Sequence, residues 1–166
     1  LKDAPLTDDY SRNLDESKKK EKFPIVVQLC EICGHVQLNY HVPPEKSYEN
    51  YLYNSKITPG LNKSFVDYAK SIMTYGDKDA YKFVLDVGSN DGSFIQACAQ
   101  HGLEAFGIEP AAAVAEWANK NGRKTINCYF DENTKDKLSK NNYPISYDFI
   151  TFNNVLANIS DPGKSL

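Results

Sequence analysis

Phe83-Val84-Leu85-Asp86-Val87-Gly88-Ser89-Asn90-Asp91-Gly92-Ser93-Phe94 is the stretch that decides the fold. An apolar, β-branched run ends in an acid, enters a Gly-rich turn, and gives way to helical spacing from Ser93. That order predicts a strand over about 82–87, a loop, and a helix over about 92–101, the opening unit of a nucleotide-binding α/β sheet. Glycine in such a loop lets the backbone approach a ligand where any side chain would intrude. The loop reads Gly-Ser-Asn-Asp-Gly, so the Gly-x-Gly-x-x-Gly dinucleotide fingerprint is absent. Downstream, Ala105-Phe106-Gly107-Ile108-Glu109-Pro110 reads as a second strand (104–109) that also ends in an acid. Glu109 falls about 20 residues after the loop, where a carboxylate gripping ribose hydroxyls is expected. One Gly-rich turn alone reads equally well as an ordinary tight loop; two acids at two strand ends, correctly spaced, argue against that.

An acid-rich turn suits a ligand with hydroxyls and a cationic centre better than a pyrophosphate. S-adenosylmethionine (SAM) is such a ligand. Strands and helices keep alternating: helix 61–75, helix 111–121, strand 125–129, polar helix 132–140 and strand 147–152, with no internal repeat. This argues for a parallel, doubly wound sheet. About four strands fit before Leu166, fewer than a parallel sheet covered on both faces needs, so the natural chain is expected to continue.

The bulk numbers exclude more than they assign. Of 166 residues, 41% are hydrophobic and 25% charged, with a net charge of -3, so the composition is globular and a polyanion partner such as nucleic acid is disfavoured. The lysines at 18–20 and 22 lie beside Asp15, Glu16 and Glu21 and read as a solvated loop within a loop-like or poorly ordered 1–22. No apolar run could span a bilayer and no signal peptide is visible, so a cytoplasmic setting without membrane contact is expected. Four cysteines do not form a secreted-type framework.

Cys30-Glu31-Ile32-Cys33-Gly34 sits between two short apolar runs, 25–30 and 35–38, and reads as a hairpin carrying a knuckle. Two thiolates two residues apart on a tight turn point at one tetrahedral centre, and Gly34 permits the turn that aims backbone amides at the sulfurs. Half of a structural zinc site, a redox dithiol and two free thiols all remain open readings. Cys98 and Cys128 read as core thiols.

Taken together, these stretches resemble the SAM-dependent sugar C-methyltransferases. Four segments carry the resemblance: Phe23-Pro24 through Leu38; Tyr48-x-x-Tyr51-x-Tyr53-x-Ser55; the 84–92 and 107–111 pair; and Asn153-Asn154-Val155-Leu156-Ala157. It implies a Rossmann-like class I methyltransferase sheet, here about four strands, preceded by a small zinc-ribbon-like β segment. The expected division is 1–45 zinc-binding, 46–80 aromatic connector and helix, and 81–166 SAM-binding core. In that scheme Cys30 and Cys33 bind zinc, the family's other Cys pair not being in this chain. Asp86, Gly88, Ser89, Asn90 and Gly92 pass under the methionine and ribose, and Glu109 and Pro110 hold the ribose. Phe130 and Asp131 flank the adenine, while Asn153 and Asn154 line the methyl-transfer side. Ser55 touches SAM. Tyr53 is the candidate catalytic aromatic, hydrogen-bonding a developing enolate oxygen on a keto nucleotide sugar. Asn158 stands where the family usually has a histidine, and an amide takes no proton near neutral pH. Competing readings are an O- or N-methyltransferase on another small molecule, a nicotinamide oxidoreductase (disfavoured by the missing third glycine), and a non-catalytic zinc-ribbon and Rossmann binding module.

Overall fold

The computed structural model describes residues 2–7, 9–48, 58–75, 83–159 and 161–165. The chain divides into two compact units, Leu1–Tyr51 and Leu52–Leu166.

In the first unit Phe23 is the one buried hydrophobic side chain among the described residues. A bridge joins Ala4 to Phe23. The segment expected to be loop-like or poorly ordered contains a short helix, α1 (Leu14–Lys19). Local chemistry explains it: Asn13 accepts from the Glu16 amide at 2.9 Å, acids occupy the first turn, and Lys18 and Lys19 the last. Strands β1 (Val27–Leu29) and β2 (Val36–Leu38) form the expected antiparallel hairpin, with Val27 opposite Leu38 and Leu29 opposite Val36. Gly34, at φ +72°, turns the chain between them, and its amide returns to the Cys30 carbonyl at 2.8 Å. Helix α2 (Pro44–Tyr48) follows, with Pro44 in its first turn, where a missing amide costs no helical bond.

The second unit is an α/β sheet. Helix α3 (Leu61–Ile72) precedes β3 (Phe83–Val87), α4 (Ser93–Gln100), β4 (Glu104–Ile108), α5 (Ala112–Lys120), β5 (Thr125–Ile126), α6 (Thr134–Lys140) and β6 (Phe149–Phe152). A 3₁₀ turn at Leu156–Asn158 and α7 (Pro162–Ser165) close the described chain. The four strands are parallel in the order β5-β4-β3-β6. Strand order reverses at β3, so the crevice outside the carboxyl ends of β3 and β6 is a topological switch point, where open α/β sheets bind ligands. The sheet is Rossmann-like, as expected.

Alternation on β3 fixes what each face does. Val84 faces Phe94, Cys98 and α3, while Leu85 and Val87 face Phe106, Ile108, Ile126 and α6 residue Leu138. Each such fully buried side chain contributes about 1.5–3 kcal/mol. Phe94 seats α4 on α3 through Phe65 and Tyr68, at ring separations of 5.6 and 5.1 Å. The fifth strand is shorter than 125–129, because Asn127 leaves the ladder and donates to the carbonyls of Glu109 and Pro110. No helix among the described residues is long and apolar enough to cross a membrane.

Candidate functional site

Parallel register puts two carboxylates at one end of the sheet. Asp86 on β3 lies opposite Gly107 on β4, and Val87 opposite Ile108, so Glu109 stands just beyond the tip of the neighbouring strand. Both acids are buried, at 2% and 5% exposure. The loop between β3 and α4 runs beside them. Its Gly88 and Ser89 amides both donate to the Ile108 carbonyl, at 2.8 and 3.0 Å, and its Asn90 amide donates to Glu109 Oε2 at 2.9 Å. Glu109 Oε1 accepts from the Ala111 amide at 2.8 Å. Each oxygen of Glu109 keeps a second acceptor position for a ligand hydroxyl.

Asp86 is held from the other side. Thr151 Oγ1 and Asn153 Nδ2 donate to its Oδ1 at 2.7 and 3.0 Å. Burial pushes the Asp86 carboxyl up to about 7; the two donors oppose this, and the Glu109 charge adds to it. Glu109 is also raised, chiefly by burial, with its two backbone donors acting against the shift. A cation at these strand ends would favour the ionised form of both carboxyls and oppose the effect of burial.

The glycines have a second use that spacing does not reveal. Gly88, Asn90 and Gly92 are all left-handed, at φ +69°, +49° and +70°. A Cβ on Gly88 would collide with Val155 Cγ2, which follows β6; one on Gly107 would meet Ser89 Oγ. Side-chain-free positions thus admit neighbouring protein atoms as well as leaving backbone exposed. Around the turn, Ser89 Oγ, Asp91 Oδ2 and Ser93 Oγ are buried without a hydrogen-bond partner. A polar ligand with both donors and acceptors fits such a lining.

The remaining candidates divide. Asn153 joins Asp86, as above. Asn154 is exposed at φ +57°, and its carbonyl accepts from Asn158 Nδ2 at 3.0 Å. Phe130 packs edge-on against Phe152 at 5.4 Å, and Pro110 is pinned by Asn127. Asp131 is engaged at the start of α6: its Oδ1 accepts the Asn133 amide and its Oδ2 pairs with Lys137 at 2.7 Å. Tyr53 and Ser55 lie outside the described residues. Sequence reading missed Thr151 and Asn127, which act across 65 and 18 residues respectively. No local pattern marks either one.

In the first unit, Cys33 is exposed and Cys30 half-buried. The amides of Cys33 and Ile32, together with the Cys33 side chain, hydrogen-bond the Cys30 sulfur and lower its pKa. That is the knuckle geometry of a thiolate ligand pair. Among the described residues no cluster of three or more metal-ligating groups exists.

A family model described as "Methyltransferase domain" matches residues 62–166, and one described as "Putative zinc binding domain" matches residues 1–48. The C-methyltransferase NovU of Streptomyces niveus is 24% identical over 139 residues, covering 82% of this chain and 32% of that protein. Among solved structures, a SAM-dependent methyltransferase from Agrobacterium tumefaciens aligns with a TM-score of 0.43 at 13% identity, over 76% of this chain and 45% of that one. The plantazolicin methyltransferase BpumL, solved with S-adenosylhomocysteine, aligns at 0.41 and 17% identity, over 61% and 37%. The chain thus spans about a third of the length of the curated relative it matches.

Proposed function

We propose that this chain, which belongs to the methyltransferase-domain family, binds SAM at the carboxyl ends of β3 and β4 for transfer of its methyl group to a small molecule. The observation that carries the reading is the pair Asp86 and Glu109, buried at adjacent strand ends with a left-handed glycine turn between them. Bound there, SAM supplies an electrophilic methyl on a cationic sulfur. Glu109 accepts the ribose hydroxyls on the acceptor positions its backbone donors leave open. Asp86, steadied by Thr151 and Asn153, faces the amino end of the methionine. Phe130 and Asp131 border the adenine, and Asn153 and Asn154 border the transfer path. The protein's contribution is chiefly alignment of two reactants about 3 Å apart.

The acceptor is a keto nucleotide sugar methylated at carbon. The matched relative is a C-methyltransferase, and the connector segment carries Tyr53, whose phenol suits a developing enolate oxygen. Cys30 and Cys33 supply two ligands of a structural zinc. Asn158 favours a second reading, O- or N-methylation. Its exposed amide donates to the Asn154 carbonyl and can remove no proton, which suits an acceptor that needs no carbon deprotonated there.

Calorimetry of the chain with S-adenosylhomocysteine and with NAD tests the ligand. Micromolar binding of the first and none of the second is expected; NAD binding alone would overturn the reading. Incubation with SAM and a keto or non-keto nucleotide sugar, read by mass, separates carbon from heteroatom transfer.

A further inference from the structure

Given the ligand site proposed above, we infer that Arg123 is a positioning residue for it: its guanidinium holds the glycine turn in the left-handed form that presents the loop to the ligand. The turn needs holding. Three of five consecutive residues, Gly88, Asn90 and Gly92, have positive φ; glycine visits this region and others with equal ease, so the backbone alone does not fix the turn and contacts must select it. The first half is tied to β4 through Ile108 and Glu109. The second half is held by short-range bonds, the Gly92 amide to the Ser89 carbonyl at 2.9 Å, the Asp91 amide to Asn90 Oδ1 at 2.8 Å and the Ser93 amide to Asp91 Oδ1 at 3.0 Å, and none of these ties it to a distant element.

Arg123 supplies that tie across 32 residues of sequence. Gly122, at φ +74°, ends α5 and turns the chain so that the Arg123 side chain runs back to α4. The residue is 8% exposed. Its Nη1 donates to the Asp91 carbonyl at 2.6 Å, its Nη2 donates to Gln96 Oε1, and its Cζ lies 5.1 Å from the centre of the Trp117 ring. Its stem lies flat on Gly92, where an added Cβ would sit 2.7 Å from Cδ and 2.8 Å from Cβ. A cation beside a helix N-terminus opposes the helix dipole, so stabilising α4 does not explain it. What the contact does is fix the orientation of the peptide between Asp91 and Gly92, with a charged donor on its oxygen and a stem that only glycine admits. Trp117 and Gln96 set the plane of the guanidinium and hence the direction of that donor.

Arg123→Lys and Arg123→Ala, in the full chain, test this, with Leu138→Ala, a core truncation on the α6 face, as a stability control. Hydrogen exchange of residues 88–93 and calorimetric binding of S-adenosylhomocysteine are the two readouts. Exchange in 88–93 should quicken in both Arg123 variants. Affinity should fall about tenfold for alanine and less for lysine, which keeps the stem and one donor. Leu138→Ala should lower Tm while leaving the affinity of the folded fraction unchanged. Unaltered exchange in 88–93, or an affinity loss no larger for Arg123→Ala than for Leu138→Ala, would overturn the inference. Should the wild-type chain bind no S-adenosylhomocysteine, the ligand reading fails by itself, and the exchange pattern alone then decides whether Arg123 holds the turn. If alanine unfolds the chain, the lysine variant decides.

Discussion

At the scale of single residues, Asp86 and Glu109 do different work with the same functional group. Glu109 spends one acceptor position per oxygen on the Asn90 and Ala111 amides, so removing it loosens the loop and deletes the ribose acceptor together. Glu109→Ala should weaken S-adenosylhomocysteine binding about 100-fold, and Glu109→Gln, which keeps one acceptor oxygen, about tenfold by calorimetry. Unchanged affinity in both would place the ribose elsewhere. Asp86 instead makes stability depend on pH. Its folded value of about 7 lies above the ordinary 3.8, so the folded protein keeps a proton that the unfolded chain has lost. Stability therefore falls as pH rises between about 4 and about 7, and levels off above that. Tm should drop between about pH 5 and pH 7.5, and Asp86→Asn, which cannot ionise, should flatten part of that slope. Raised Glu109 leaves a remainder of the same sign. A wild-type slope in Asp86→Asn would locate the dependence in other groups.

Between elements, the critical joint is that of β3, its glycine turn and the segment after β6. Gly88 lies against Val155, and its φ of +69° is one that L side chains rarely adopt. Gly88→Ala should destabilise the chain through both strain and collision. Pairing it with Val155→Ala removes the collision alone, so the double variant should recover part of the lost Tm, a non-additivity that a double-mutant cycle measures. Strict additivity would mean Val155 does not limit the turn. This joint also shows what sequence conveys. The run at 83–87 and the acid at 109 are legible because strand period, β-branching and turn glycines are local signals. The parallel arrangement follows from alternation of strands with helices. The partners of those acids are not legible in the same way: Thr151 reaches Asp86 only through β6 pairing with β3, and Asn127 reaches the 109–110 turn only after the chain leaves β5. Helix α1 was missed because charged residues read as solvent-facing loop until the Asn13 cap is seen in place.

For the molecule as a whole, the two units are stabilised very differently, and this bears on the proposed zinc. The 83–159 region buries Val84, Leu85, Val87, Phe94, Phe106 and Ile108 in two layers around a parallel sheet. In the first unit, among the described residues, Phe23 is the one buried hydrophobic side chain, while Val27, Leu29, Val36 and Leu38 are 55–64% exposed on one face of a two-stranded hairpin. A two-stranded sheet in water is marginal, and a segment of this size normally needs a disulfide, a metal or a partner to hold it. All four cysteines are free, and Cys30 already receives the amides a thiolate ligand needs. Metal bound at Cys30 and Cys33 should therefore slow hydrogen exchange across 27–38 without altering exchange in 83–159. Cobalt substitution should give a thiolate-to-metal charge-transfer band that Cys30→Ser and Cys33→Ser each diminish. S-adenosylhomocysteine affinity should be the same in these variants as in the wild type, because every ligand contact proposed among the described residues lies in the second unit. A chain whose 27–38 exchange ignores zinc, or whose cobalt spectrum survives loss of both thiols, would show that the knuckle does not hold the hairpin together.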